Sequence, residues 1–183
     1  ALAPAAGGDV DSERRGAPID DTMPSPASVV GALNRRFCAG DNDGRFLTMI
    51  LCVLDVERGR LRFARAGHPL PIITRRGEEL AVDESGSLPI GILEDETFHD
   101  VEIRLEAGDR VFLYSDGFPE QCEPTGAEQY GDDRVRTMFL AGQDLHDAGL
   151  MAHAVGSLAE WAGTDRFTDD VSLLVLDWLG HSD

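Results

Sequence analysis

The amino-acid sequence predicts an α+β fold, an antiparallel β-sandwich flanked by helices on its outer faces. Three observations predict it. Two apolar runs, Val111–Ser115 and Val171–Leu176, lack strict polar alternation and read as adjacent interior strands covered on both faces. Several strand-favouring runs follow one another across polar turns, Glu57-Arg58-Gly59-Arg60 and Arg75-Arg76-Gly77-Glu78, as hairpin-linked strands do. The helical patterns stand apart from these runs, one before them and two late in the chain. Helices are therefore added outside the sheets and not interleaved with the strands.

Taken in order, residues 1–25 hold Ala, Gly, Pro, Asp and Arg without periodicity and are expected to be flexible. A folded domain is expected over residues 26–180. Ser25-Pro26 opens a helix, serine as cap and proline at the first helical position. Val29, Val30, Leu33 and Phe37 form its inner face, with Asn34, Arg35 and Arg36 opposite. Asp41-Asn42-Asp43 reads as turn chemistry, because the distal glutamate of a calcium loop is missing. Strands are expected at Phe46–Val56, Leu61–Arg65, Leu70–Thr74 and Leu80–Val82, and from Phe98 to Leu105. Leu88-Pro89-Ile90-Gly91, broken by proline and glycine, is an edge or a bend. Two helices follow at Asp132–Leu140 and Leu145–Trp161. The second carries Leu150, Met151, Ala154, Val155, Leu158 and Trp161 as its apolar stripe.

Composition excludes several function classes. The 183 residues are 42% hydrophobic and 27% charged, enough for one domain with a sizeable core. The formal net charge of −18 repels nucleic acid and anionic lipid, which require cationic patches. The longest apolar run, Phe46 to Val53, is too short to span a bilayer, and no secretion signal is visible. Cys38, Cys52 and Cys122 are scattered and show neither a disulfide framework nor zinc spacing, as expected of a cytoplasmic protein with reduced thiols.

The chemistry concentrates where strands meet acids. The first apolar run ends in Asp116-Gly117, and the last is preceded by Asp169-Asp170. If the two strands are antiparallel, both carboxylates meet at one edge of a sheet, a geometry suited to a divalent cation. Oxygen ligands without a histidine or cysteine set select Mg²⁺ or Mn²⁺. Tyr114-Ser115-Asp116-Gly117 and Asp169-Asp170-Val171-Ser172 resemble the late metal motifs of the metal-dependent protein phosphatase 2C superfamily, the PPM type. Ala66-Gly67-His68-Pro69, Leu88-Pro89-Ile90-Gly91 and Leu105-Glu106-Ala107-Gly108-Asp109 resemble its bacterial SpoIIE/RsbU branch, in order and spacing across roughly residues 26 to 178.

The resemblance implies an αββα sandwich and a serine/threonine protein phosphatase holding two Mn²⁺ or Mg²⁺ ions. A metal-activated water then attacks the phosphoryl group with no covalent protein nucleophile. It implies Asp116 and Asp169 as metal ligands, with Gly117 contributing a carbonyl and Asp170 as neighbour. It implies that His68, Gly67 and Gly91 lie beside the metal ligands or near the substrate without ligating metal; from the sequence alone His68 also reads as an imidazole hydrogen-bonded to nearby backbone. Gly7-Gly8-Asp9-Val10-Asp11 is similar to the family's first metal motif, which makes Asp9 a further candidate. The segment that follows that motif in the family is absent, so residues 1–25 also read as a remnant and the N-terminal part of the fold as incomplete. The implied partner is a phosphorylated regulatory protein, of the type that antagonises anti-sigma factors. The alternative is a truncated or catalytically impaired phosphatase-like module that binds a regulatory protein. A plain acidic binding domain would leave the five motifs in register unexplained.

Overall fold

The computed structural model describes residues 23–40 and 43–180, so Asp9 and most of the expected flexible segment lie outside the described residues. Helix α1 (Pro26–Cys38) is followed by β1 (Met49–Asp55), β2 (Arg60–Ala66), β3 (Ile72–Arg75), β4 (Glu78–Glu79), β5 (Val101–Arg104) and β6 (Asp109–Tyr114). Then come α2 (Gly131–Ala141), α3 (Asp147–Ala162) and β7 (Leu173–Trp178). Among the described residues the strands form two antiparallel sheets, ordered β1-β2-β5 and β4-β3-β6-β7.

Three hydrophobic clusters stack these elements into four layers. Val30 of α1 packs on Ala64 and Ala66 of β2 and on Ile90 and Phe98. Leu61 and Phe63 of β2 meet Ile73 and Val111 between the sheets. Phe112 and Tyr114 of β6 meet Val135, Phe139, Leu150 and Leu158 of α2 and α3. The β6 side chains therefore alternate between two cores, which is why the run shows no polar alternation. Leu113 points between the sheets but is only partly buried. The sandwich flanked by helices is the architecture expected from the sequence.

Several local expectations are corrected. Ser25 caps α1 as expected, its hydroxyl accepting from the Ser28 amide at 3.1 Å. Asn34, however, is completely buried, while Val29 is exposed. The Asn34 amide donates to the carbonyls of Leu93 and Glu94 and accepts from the Gly91 amide, a bracket that periodicity cannot reveal. The short strand expected at Leu80–Val82 lies earlier, at Glu78–Glu79. Arg76 and Gly77, both at positive φ, make a tight turn that pairs Arg75 with Glu78. In α3, Met151 and Val155 are exposed, and the buried stripe is Leu150, Ala154, Leu158 and Ala162. Strand β7 is not interior: among the described residues it ends its sheet, and Leu174 is exposed.

Arg75 fixes the end of the sandwich away from Asp116. Its guanidinium grips both carboxylate oxygens of buried Asp109 at 2.9 and 2.7 Å and the Arg104 carbonyl at 2.9 Å. The turn from β5 into β6 is tied to β3, and the register that delivers Asp116 to the opposite rim is held.

Candidate functional site

Asp116 follows β6, and Asp169 lies four residues before β7. The antiparallel pairing of the two strands brings their acidic flanks to the same rim. Ser115 staples those flanks. Its amide donates to the Ser172 carbonyl at 3.0 Å, its hydroxyl donates to the Asp170 carbonyl at 2.9 Å, and the Ser172 amide donates to that hydroxyl at 2.9 Å. Gly117 permits the close approach, since a Cβ there would stand 2.5 Å from the Asp170 carbonyl oxygen. The Asp169 carboxylate accepts from the Asp170 amide at 2.7 Å, which orients it.

Asp116 and Asp169 line one open cleft of about 1080 Å³, together with Gly67, His68, Tyr114, Arg65 and Arg136. Gly67 sits at φ +64° against Pro89, where a Cβ would meet a ring carbon at 2.5 Å. That contact seats the turn carrying His68. Arg65 clamps the same turn, donating to the His68 carbonyl at 2.9 Å and to the Glu84 carbonyl at 2.7 Å. The His68 Nδ1 lies 3.0 Å from the Pro69 carbonyl oxygen. Burial pulls the His68 imidazole below its ordinary range, against the opposing effects of the Pro69 carbonyl and the charge of Asp116. Burial pushes the Tyr114 hydroxyl up to about 12. It stays protonated and can donate a hydrogen bond.

The remaining sequence candidates fall elsewhere. Gly117 and Asp170 are not among the residues that line the cleft; they hold the two acidic flanks together. Gly91 does not line it. At φ +95° it lies under α1, and a Cβ there would come within 2.7 Å of the Phe37 ring. Tyr114, Arg65 and Arg136 went unrecognised as cleft residues. In the sequence Tyr114 is one more apolar strand residue, Arg65 a strand end and Arg136 a helix position.

The donor set bears on which cation fits. The acids in the cleft offer oxygen only, the chemistry of Mg²⁺ and Mn²⁺. Among the described residues no group of three or more His, Cys, Asp or Glu side chains could hold a metal ion. Asp116 and Asp169 supply two of the carboxylates that line the cleft.

Comparison with known proteins identifies the family. The family model described as Stage II sporulation protein E (SpoIIE) matches residues 14–179. Phosphoserine phosphatase RsbU of Bacillus subtilis is 28% identical over 103 residues, covering 56% of this chain and 31% of that protein. Stage II sporulation protein E of B. subtilis is 30% identical over 92 residues, covering 50% of this chain and 11% of that protein. The chain thus spans under a third of the length of these curated relatives. In structure it is similar to the phosphatase domain of B. subtilis SpoIIE presoaked with Mn (TM-score 0.64, 17% identity, 88% of this chain and 70% of that one). It is also similar to the SiaA-PP2C domain of Pseudomonas aeruginosa (TM-score 0.65, 24% identity, 84% and 61%). At these identities the structural likeness is one of fold. The chain belongs to the SpoIIE family.

Proposed function

We propose that this SpoIIE-family chain carries a metal-dependent serine/threonine phosphatase site, built on residues 26–180, that acts on a phosphorylated regulatory protein in the cytoplasm. The partner class proposed is the antagonist of an anti-sigma factor. The observation that carries the reading is the Ser115 staple, which locks the two acidic flanks together and puts Asp116 and Asp169 in one cleft. Asp116 and Asp169 would hold Mn²⁺ or Mg²⁺, with the Gly117 carbonyl beside them. The cation would supply Lewis acidity toward a phosphoryl oxygen and a water of lowered pKa. Arg136 offers a guanidinium in the same cleft, a donor that matches phosphoryl oxygens. Tyr114 offers a hydroxyl donor, and Arg65 holds the His68 turn in place.

A second reading is favoured by one observation: among the described residues no group of three or more His, Cys, Asp or Glu side chains could hold a metal ion, where a two-cation centre draws on several. The chain would then be a phosphatase-like module that binds the regulatory protein without turning it over, and residues 1–25 a remnant. Mn²⁺ titration by calorimetry, paired with hydrolysis of a phosphoserine peptide, separates the two. Catalysis predicts that Asp116→Asn and Asp169→Asn each weaken Mn²⁺ binding at least tenfold. Each should also slow hydrolysis about 100-fold, or ~2.7 kcal/mol of transition-state stabilisation. Mn²⁺ binding without turnover in the unaltered chain selects the binding module. Unchanged Mn²⁺ affinity in both variants removes the metal site.

A further inference from the structure

Twelve large apolar side chains are exposed among the described residues, and five of them, Phe46, Leu47, Leu88, Ile92 and Leu93, lie on two neighbouring segments. Leu47 and Ile90 join those segments, each amide donating to the other's carbonyl at 2.9 Å. Phe46, 59% exposed, and Leu47 also line the cleft that holds Asp116 and Asp169. Single exposed apolar residues are ordinary on a protein surface, whereas a cluster continuous with a cleft marks a contact site.

The cluster is held rigidly. Completely buried Asn34 uses its side-chain amide on the Gly91 amide at 2.9 Å and on the carbonyls of Leu93 and Glu94 at 2.9 and 3.1 Å. A polar group is thus taken into the core to shape the very loop that presents Ile92 and Leu93 to solvent. Burying an amide is tolerated only where its hydrogen bonds are met, and three of the four here go to this loop, the other coming from the Cys38 thiol.

We propose that this apolar lip is the docking surface for the substrate polypeptide, an extended segment with apolar residues flanking the phosphorylated serine or threonine. The assignment rests on the phosphatase reading of the cleft, and it adds what selects the substrate. Charge argues for this occupant. A phosphorylated segment is an anion approaching a chain of net charge −18, so long-range electrostatics oppose the encounter. Apolar contact beside the phosphate provides attraction that does not depend on charge. A substrate recognised by its phosphate alone would have no use for the lip.

The test compares two synthetic peptides that carry a non-hydrolysable phosphonate in place of phosphoserine, flanked in one by leucine and isoleucine and in the other by serine. Fluorescence anisotropy with Mn²⁺ present should show the apolar-flanked peptide binding at least tenfold tighter. Phe46→Ser/Leu47→Ser and Ile92→Ser/Leu93→Ser should each erase the preference without lowering the thermal midpoint, since all four side chains are exposed. Equal affinity for both peptides, or a preference that survives both double variants, overturns the proposal. Mn²⁺-dependent hydrolysis of p-nitrophenyl phosphate, which has no flanks, would in that case leave the phosphatase reading standing. An apolar-flanked peptide that binds equally well when plain serine replaces the phosphonate refutes the phosphate site instead. Sedimentation showing a dimer that Phe46→Ser/Leu47→Ser dissociates would assign the lip to a second copy of this chain and overturn the peptide assignment.

Discussion

Strands β6 and β7 invite comparison because their sequences read alike and their surroundings differ. Each is an apolar run beside an acid, and they pair antiparallel over six residues. In β6, Val111, Phe112 and Tyr114 are buried, because β3 and β7 flank the strand while helices and the opposite sheet cover its faces. In β7, only β6 flanks the strand among the described residues. Leu173 and Val175 reach the helical side, Leu176 and Trp178 reach the space between the sheets, and Leu174 is 58% exposed. Hydrophobicity alone does not distinguish a central strand from an edge; the neighbours do.

Three measurements would sharpen or break that contrast. The largest effect belongs to Phe112, fully buried and stacked on Phe139 with ring centroids 4.6 Å apart. Phe112→Ala should lower unfolding free energy by ~3–5 kcal/mol in urea denaturation. A loss under about 1 kcal/mol would mean that the helical core is loose and that β6 is no better packed than β7.

A smaller effect is expected where the strands are tied by charge. Asp177 of β7 pairs with buried Arg110 of β6, which also donates to the carbonyls of Gln143 and Leu145. The hydrogen bond from Arg110 holds the Asp177 carboxyl below its ordinary range. A carboxylate depressed in the folded state stabilises above its unfolded pKa, and that contribution is lost as pH falls through the folded value. Stability followed from pH 6 down to pH 3 should therefore fall less in Asp177→Asn than in the unaltered chain. The difference should be ~1 kcal/mol or less, because the carboxylate is partly exposed and screened. Parallel pH curves would show that the pair does not tie β7 to β6.

The smallest effect belongs to Leu174. Leu174→Ser on the exposed position of β7 should change unfolding free energy by no more than ~0.5 kcal/mol. A cost well above 1 kcal/mol would show that the β7 edge is covered in solution.

Much of the fold was legible because the relevant signals are local. Ser25-Pro26 caps its helix within one turn, and the hairpins at Gly59 and Gly77 need only a few residues at positive φ. The acidic flanks at Asp116 and Asp169 were legible for a related reason: each follows or precedes an apolar run, and a chain must leave the core at such points. What failed were statements about what covers a residue. Asn34 reads as a polar surface residue and is buried, while Met151 reads as core and is exposed.

By itself the sequence determined the class of fold, the order of its elements and the two acids at the ends of neighbouring strands. Those depend on propensity, turn chemistry and apolar pattern, which short stretches of chain carry within themselves. Only the tertiary structure decided that β7 ends its sheet, that Arg65 and Arg136 join the acids in one cleft, and that Asn34 braces an apolar lip beside it. Each of these depends on contacts between segments 19 or more residues apart, and no local pattern records which distant neighbour a side chain meets.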